Sequence, residues 1–257
     1  MQHQSNKTIK IIDNQNIMWF TINRPEKRNA IDFDVMDSLK NALLEVKGNK
    51  KIRGFVITGS GDRAFCSGGD LSVFHSLRTK EQAYDMLSKM GSILYDLMVL
   101  PVPTFAYLNG TAVGGGCEIA SACDFRIAKQ NVKVGFIQGK LGITTGWGGS
   151  SMLLERVNYP EAMQMLYSSK LYEATEAKEI GFIQHVVTKN SYGELMGKIH
   201  SQIAPSANVL RSYKMVAIQK WEASNLKQRM LDEIEQCSIL WEKDEHHDAV
   251  DQFLMKE

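Results

Sequence analysis

Between Gly114 and Glu118 the chain sets three glycines just ahead of a carboxylate: Gly114, Gly115, Gly116, Cys117, Glu118. An apolar run before them, Thr104 to Leu108, is short enough for a buried strand, and Asn109 and Gly110 break it. After them Cys117, Ile119, Ala120 and Cys123 recur at helical spacing. Strand, glycine turn and helix together present unpaired N–H groups at a helix start, where the amides and the helix dipole both favour negative charge. Glu118 falls in the first turn of that helix, close enough to act on whatever the amides hold. The same glycines also suit a plain tight turn or close helix packing. No Gly-Lys-Ser/Thr follows and the third glycine of a Rossmann fingerprint is misplaced, so a dinucleotide site is not supported.

A second stretch repeats the arrangement one β-α unit earlier. Arg53 to Thr58 reads as a strand, Gly59-Ser60-Gly61-Asp62 turns the chain, and Ala64-Phe65-Cys66-Ser67-Gly68-Gly69-Asp70-Leu71 follows. Its glycine pair can aim further backbone N–H groups at a ligand, or form a simple loop. Two such loops in neighbouring units make a shared site more plausible than either alone. Lys27 and Arg28, adjacent cations in a loop before a helix, read either as solvated surface charge or as a phosphate contact.

The elements that must position these residues alternate strand and helix, which predicts an α/β domain with crossover connections. Thr8 to Ile22 reads as two strands around a turn at Asp13 to Asn16. A helix from about Asp32 to Val46 carries an apolar stripe of Phe33, Met36, Leu39, Leu43 and Val46, with Asp32 able to cap it. Thr79 to Leu100 is a second amphipathic helix, ended by Pro101 and Pro103. Strands are expected at Asp124 to Ala128 and Val132 to Phe136. The glycine-rich loop Leu141 to Gly149 leads to short helices at Ser150 to Val157, Pro160 to Tyr167 and Thr175 to Ile180. A last strand-like run spans Ile183 to Val187. From Ser191 onward the chain reads as helix, with Val209, Tyr213, Val216 and Ile218, then Met230 and Ile234, then Val250, Phe253 and Leu254 as apolar positions. This tail is a candidate subunit interface or lid. The expected division is residues 1–190 as core and 191–257 as helical region.

Composition bounds the function. The 257 residues suffice for one large domain or a domain with a helical appendage. With 30 basic and 29 acidic residues the net charge is +1, which gives no electrostatic case for nucleic acid or a membrane surface. Cys66, Cys117, Cys123 and Cys237 show no CxxC spacing, so neither a zinc nor a redox motif is indicated. Reduced thiols, a polar N-terminus and no bilayer-length apolar run together lead us to expect a cytoplasmic protein.

The motifs occur together and in order: Asn23-Arg24-Pro25 with Asn29-Ala30, Ala64 to Asp70, Asn109-Gly110 with Gly114 to Glu118, and Cys123-Asp124. This set resembles the enoyl-CoA hydratase/isomerase (crotonase) superfamily over essentially the whole chain. The resemblance implies a ββα spiral core, a C-terminal helical trimerisation region, and self-association as a trimer or dimer of trimers. It implies an acyl-CoA thioester substrate, with coenzyme A arriving as part of it, and no permanently bound cofactor or metal. The family holds the thioester oxygen between two backbone N–H groups, which by position look like those of Gly69 and Gly115. Two aimed donors suit chemistry that passes through a thioester enolate. By the same resemblance Lys27, Arg28 and Ala30, Ser67, Gly69, Asp70, Leu71 and Ser72, and Gly115 with Trp147 correspond to the substrate-binding segments.

Hydratases of the family generally use two glutamates. Glu118 matches the first, but Gln138 stands at the second. Glutamine orients by hydrogen bonds and cannot exchange a proton as a carboxylate does. Two-glutamate water addition, or isomerisation with a base at that position, is therefore disfavoured. Loss of CO2 from a malonyl-type thioester needs no such base. The tract Cys123 to Arg126, Lys140 to Ile143 and Gly146 to Gly149 looks like the ethylmalonyl/methylmalonyl-CoA decarboxylase branch, with Trp147 either walling the acyl pocket or only packing. The leading expectation is thus a decarboxylating acyl-CoA lyase. The alternatives are a short-chain enoyl-CoA hydratase working with Glu118 alone and a CoA-ester binding protein without turnover. His75 follows the Gly69 loop and is read as a bystander.

Overall fold

The computed structural model describes residues 6–188 and 192–255. The chain opens with an antiparallel pair, β1 (Thr8–Ile12) and β2 (Ile17–Ile22), around the expected turn. Helix α1 (Phe33–Gly48) follows, its N-cap Asp32 accepting from the Val35 amide. The expected stripe is buried at Met36, Leu39, Leu43 and Val46, but Phe33 lies partly exposed at the first turn, its ring edge-on to Phe74.

Three strand pairs then repeat. They are β3 (Gly54–Gly59) with β4 (Ala64–Cys66), β5 (Thr104–Leu108) with β6 (Thr111–Val113), and β7 (Phe125–Lys129) with β8 (Lys133–Gly135). Helices α2 (Leu71–Phe74) and α3 (Lys80–Met98) follow the first pair, and α4 (Gly115–Ala122) follows the second. The first strand of each pair joins a six-stranded sheet, order β1-β2-β3-β5-β7-β10; the second joins a four-stranded sheet, order β4-β6-β8-β9. The result is the expected ββα spiral. The chain then runs through α5 (Gly149–Leu153), α6 (Tyr159–Ser168), β9 (Tyr172–Glu173), α7 (Ala174–Glu179) and β10 (His185–Val187). Gly181 takes φ +89 just beyond α7, the left-handed turn that ends many helices.

Corner side chains hold successive coils in register. Asn109 Oδ1 accepts from the Gly59 amide at 2.9 Å and its Nδ2 donates to Gly61 O at 2.9 Å. Asn29, itself in the left-handed region at φ 57, donates to Ala64 O at 2.7 Å and accepts from the Arg24 amide at 3.0 Å. These bonds satisfy buried main-chain groups where strands leave one sheet for the other.

The C-terminal helices are α8 (Tyr192–Gln202), α9 (Ala207–Ala223), α10 (Leu226–Trp241) and α11 (Asp244–Leu254). The boundary expected between residues 190 and 191 lies outside the described residues. Helix α10 packs along α3, where Gly91 lets Ile234 approach the backbone. On α9 the apolar expectation holds at Ile218 and fails at the other three positions: Val209, Tyr213 and Val216 are exposed, while Leu210, Lys214 and Trp221 are buried with Ile218. The inward face includes a lysine because Asp124 claims it, through Lys214 Nζ at 2.6 Å from Asp124 Oδ2. No helix among the described residues is long and apolar enough to cross a membrane.

Candidate active site

Strands β4 and β6 run parallel and adjacent, with Ala64 opposite Thr111 and Cys66 opposite Ala112. The two glycine loops therefore leave the small sheet side by side. Gly68 at φ 102 and Gly114 at φ 53 take turns that L side chains rarely adopt. A Cβ on Gly68 would lie 3.2 Å from the Gly115 nitrogen, so the expected shared site is one place. Ile31 grips the first loop: its amide donates to Gly68 O and its carbonyl accepts from Asp70, both at 2.9 Å. That bridge turns the intervening Gly69 amide the other way. Neither the Gly69 nor the Gly115 amide donates to an acceptor among the described residues.

Gly69 and Gly115 both line a cavity of about 780 Å³, a volume ordinary for a small-molecule site. Each residue expected at the site lines it: Lys27, Arg28 and Ala30; Ser67, Gly69, Asp70, Leu71 and Ser72; Gly115, Glu118, Gln138 and Trp147. Lys27 and Arg28 line it with exposed side chains. The Asp70 side chain is committed elsewhere. It caps α2, accepting from Ser72, and pairs with Arg24 at 2.7 Å. Burial alone would raise Asp70, but the Ser72 hydrogen bond and the Arg24 guanidinium hold its carboxyl below the ordinary value.

Trp147 is buried, and its indole lies across the Gly115 backbone; a Cβ on Gly69 would also come within 3.6 Å of its Cζ2. Trp147 thus packs and walls the cavity at once. His75 does not line the cavity and pairs with Asp251 at 3.1 Å.

Glu118 is buried and its carboxylate takes four N–H groups. Oε1 accepts from Gln138 Nε2 at 2.9 Å and the Gly146 amide at 3.3 Å; Oε2 accepts from the Trp147 and Gly149 amides at 2.8 and 2.9 Å. Burial first, and then the nearby Glu233 carboxylate, push Glu118 up to about 7, against the pull of the Trp147, Gly146 and Gly149 amides. The group is therefore poised to hold or release a proton near neutrality. Gln138 is also buried, and its Oε1 has no partner among the described residues.

Sequence reasoning offered the C-terminal tail as an interface or lid but named none of its residues at the site. Trp241, Phe253 and Leu254 line the cavity together with Met86 and Leu87 of α3. Phe253 and Leu254 belong to the expected tail pattern, and only the tail's fold-back onto the core reveals their place. Arg24 stood in a recognised tripeptide, yet its pairing with Asp70, 46 residues on, had no local signal.

A family model described as enoyl-CoA hydratase/isomerase matches residues 13–257. The chain belongs to that family. Methylglutaconyl-CoA hydratase of mouse mitochondria is 34% identical over 182 residues, covering 71% of this chain and 58% of the mouse protein. The chain thus matches little more than half the length of that relative. The short-chain-enoyl-CoA hydratase of Clostridium acetobutylicum is 30% identical over 237 residues, 92% of this chain and 90% of its own. The ethylmalonyl-CoA decarboxylase of Xenopus laevis is 28% identical over 86% of this chain and 74% of its own. The crystal structure of an enoyl-CoA hydratase from Bacillus halodurans superposes with a TM-score of 0.86 over 96% of this chain and 100% of that one, at 24% identity. That similarity shows the crotonase fold. Family membership thus confirms the resemblance, while these relatives carry both hydratase and decarboxylase names.

Proposed function

We propose that this crotonase-family chain is an acyl-CoA lyase that decarboxylates a malonyl-type thioester, of which methylmalonyl- and ethylmalonyl-CoA are the first candidates. One observation carries the reading: the Glu118 carboxylate is filled by four N–H donors, and its side-chain neighbour is an amide, Gln138. Among the described lining residues the other carboxylates are Glu26, exposed, and Asp70, paired with Arg24. Among the described lining residues no unengaged, buried carboxylate stands ready to take a proton from water. Two free amides do stand ready for an oxyanion.

In this reading the thioester oxygen sits between the Gly69 and Gly115 amides. The bond from Cα to the carboxylate carbon breaks, and its electron pair moves into the enolate that the two amides hold. Neutral CO2 departs. Cα then takes a proton from the Glu118 carboxyl, which solvent replenishes. Gln138 keeps Glu118 oriented, and Trp147 covers the acyl group and keeps water from the carboxylate that must lose its solvation. Lys27 and Arg28 face the phosphates of coenzyme A, and Ala30, Ser67, Asp70, Leu71 and Ser72 line the path between. The reaction is redox-neutral and needs no resident cofactor.

Hydration of a short-chain enoyl-CoA is the second reading. It is favoured by the buried, unpartnered Gln138 Oε1, which can accept from a bound water. Assembly as a trimer or dimer of trimers, the division at 190/191 and a cytoplasmic location belong to the same proposal; light scattering on the purified protein tests the first. A paired assay tests the reaction. Crotonyl-CoA is followed by loss of its conjugated-thioester absorbance, and methylmalonyl- and ethylmalonyl-CoA by product mass. CO2 loss without hydration is expected. Fast hydration without CO2 loss overturns the reading, and tight thioester binding with neither reaction identifies a binding protein.

A further inference from the structure

The turn that carries Trp147 is held by two carboxylates from opposite sides. From the core, Glu118 on α4 takes the amides of Gly146, Trp147 and Gly149. From the C-terminal region, Glu233 on α10 takes the amides of Ser150 and Ser151 at 3.0 and 2.8 Å, and the Thr145 hydroxyl. Thr145 closes the arrangement, its hydroxyl also accepting from the Ser150 amide at 3.1 Å. Five amides between residues 146 and 151 therefore point at two anions. Such a run of amides stabilises negative charge much as an isolated helix start does.

Each carboxylate is distinct in place and partners. Glu118 is buried beside the oxyanion amides and bonded by Gln138. Glu233 is only partly buried and does not line the cavity. It therefore touches neither substrate nor reacting atoms, and any effect it has on the reaction passes through the turn and through charge.

We propose that Glu233 is a positioning residue for this site: it fixes the 145–151 turn, and so Trp147 and the Glu118 amide cradle, and its negative charge keeps a proton on Glu118. This rests on the reading of Glu118 as the group that handles the reaction's proton. Two consequences follow from the geometry. Without Glu233 the Ser151 amide loses its acceptor, the Ser150 amide keeps only the Thr145 hydroxyl, and the turn loses its tether to α10. Without its charge, Glu118 sits among amide donors with no opposing anion, and its proton leaves more easily.

The other titratable groups facing Glu118 do not compete for this role. Cys117 lies next to it on α4, and Cys237 faces it from α10. Burial pushes both thiols well above their ordinary value, so both stay neutral where Glu118 titrates. Gln138, whose side chain donates to Glu118, has no charge in any pH range.

The test uses Glu233→Gln, Glu233→Asp and Thr145→Val. Glu118 is titrated directly by carboxyl infrared difference spectra, its band assigned by its loss in Glu118→Gln. Glu233→Gln, which removes the charge but keeps one acceptor oxygen, is expected to move the Glu118 midpoint to lower pH by at least about half a unit. Thr145→Val and Glu233→Asp keep the charge, and in both the midpoint is expected to stay near that of the wild type while the turn loosens. A loosened turn reads out as faster exchange of the Ser150 and Ser151 amides. In the wild type itself, the Trp147 and Gly149 amide resonances are expected to titrate with Glu118. An unchanged midpoint in Glu233→Gln, or Trp147 and Gly149 resonances insensitive to Glu118 protonation, overturns the proposal. These readouts need no turnover. A shifted midpoint in a protein that fails to decarboxylate any malonyl thioester sinks the functional reading and leaves the role of Glu233 standing.

Discussion

The Gln138 amide donates to Glu118 Oε1 at 2.9 Å and fills the last of the four positions on that carboxylate. The neighbouring group is thus a neutral donor where a second carboxylate would be a competing anion. Glu118 keeps a single role under this arrangement, since its oxygens are all engaged until one donor lets go. Replacing Gln138 by glutamate reverses the sign of the contact. Two carboxylates this close share one proton, so Gln138→Glu is expected to raise the upper apparent pKa of the pair above about 7, the value for Glu118 alone. Decarboxylation is expected to fall about tenfold or more as the Glu118 cradle is disturbed. The carboxyl infrared titration and the rate of CO2 release measure the two effects separately.

The pH dependence distinguishes the two reactions. Burial and the nearby Glu233 charge place the Glu118 midpoint at about 7, so the carboxyl holds its proton below that pH and loses it above. A decarboxylase that draws the enolate's proton from Glu118 slows as pH rises through about 7. A hydratase that uses the Glu118 carboxylate as base speeds up over the same interval. Profiles of kcat, which includes the proton transfer that follows loss of CO2, from pH 5.5 to 8.5 on methylmalonyl- and crotonyl-CoA, with Glu118→Gln as the reference, decide between them.

Gly115 is fixed by what lies over it. The Trp147 indole occupies the place of a Gly115 side chain, so Gly115→Ala forces the ring or the amide to move. A displaced oxyanion donor costs about a hundredfold or more in kcat. The double variant Gly115→Ala/Trp147→Leu, which makes room for the methyl, is expected to recover part of that loss. Strict additivity of the two single losses would show that ring and glycine act independently, against the contact described here. Gly69→Ala meets the Phe74 ring at 3.0 Å as well as Trp147, and a loss of the same order is expected there.

Much of this site could be read along the chain because its parts are local. The glycines, the cap at Asp32 and Glu118 in the first turn of α4 each depend on residues a few positions away. The paired glycine loops were legible as repeated strand-to-glycine patterns, and their meeting follows from β4 lying beside β6. What escaped is long-range. β4 and β6 are three residues each, too short for a periodicity to show, so of the second sheet only β8 was legible, as the run Val132 to Phe136. Glu233 lies 83 residues from the Ser150 amide it accepts, and on its own helix it looks like any surface glutamate. On α9 the apolar pattern misled, because an ion pair with Asp124 outweighed the preference of Lys214 for water.

That ion pair yields the last prediction. Asp124 ends the α4 segment and accepts from the Thr104 amide at 3.0 Å, while Lys214 reaches it from α9 and Arg156 approaches within 3.5 Å. It therefore ties the start of β5 to the C-terminal helices. Burial alone would raise Asp124, but Lys214 and Arg156 hold it below its ordinary 3.8. A depressed carboxyl contributes stability that is present above the unfolded value and is lost as pH falls through the folded one. The link is thus intact at neutral pH and weakens as pH drops below 3.8. Asp124→Asn leaves the Lys214 ammonium buried without its anion and is expected to cost about 3–5 kcal/mol at pH 7. Because Asp124→Asn has no carboxyl to protonate, the gap between wild type and variant should narrow as pH falls below 3.8, where the wild type loses its own anion. Urea unfolding at pH 7 and pH 3 measures that gap; an equal difference at both pH values would show that Asp124 contributes through packing and not through charge.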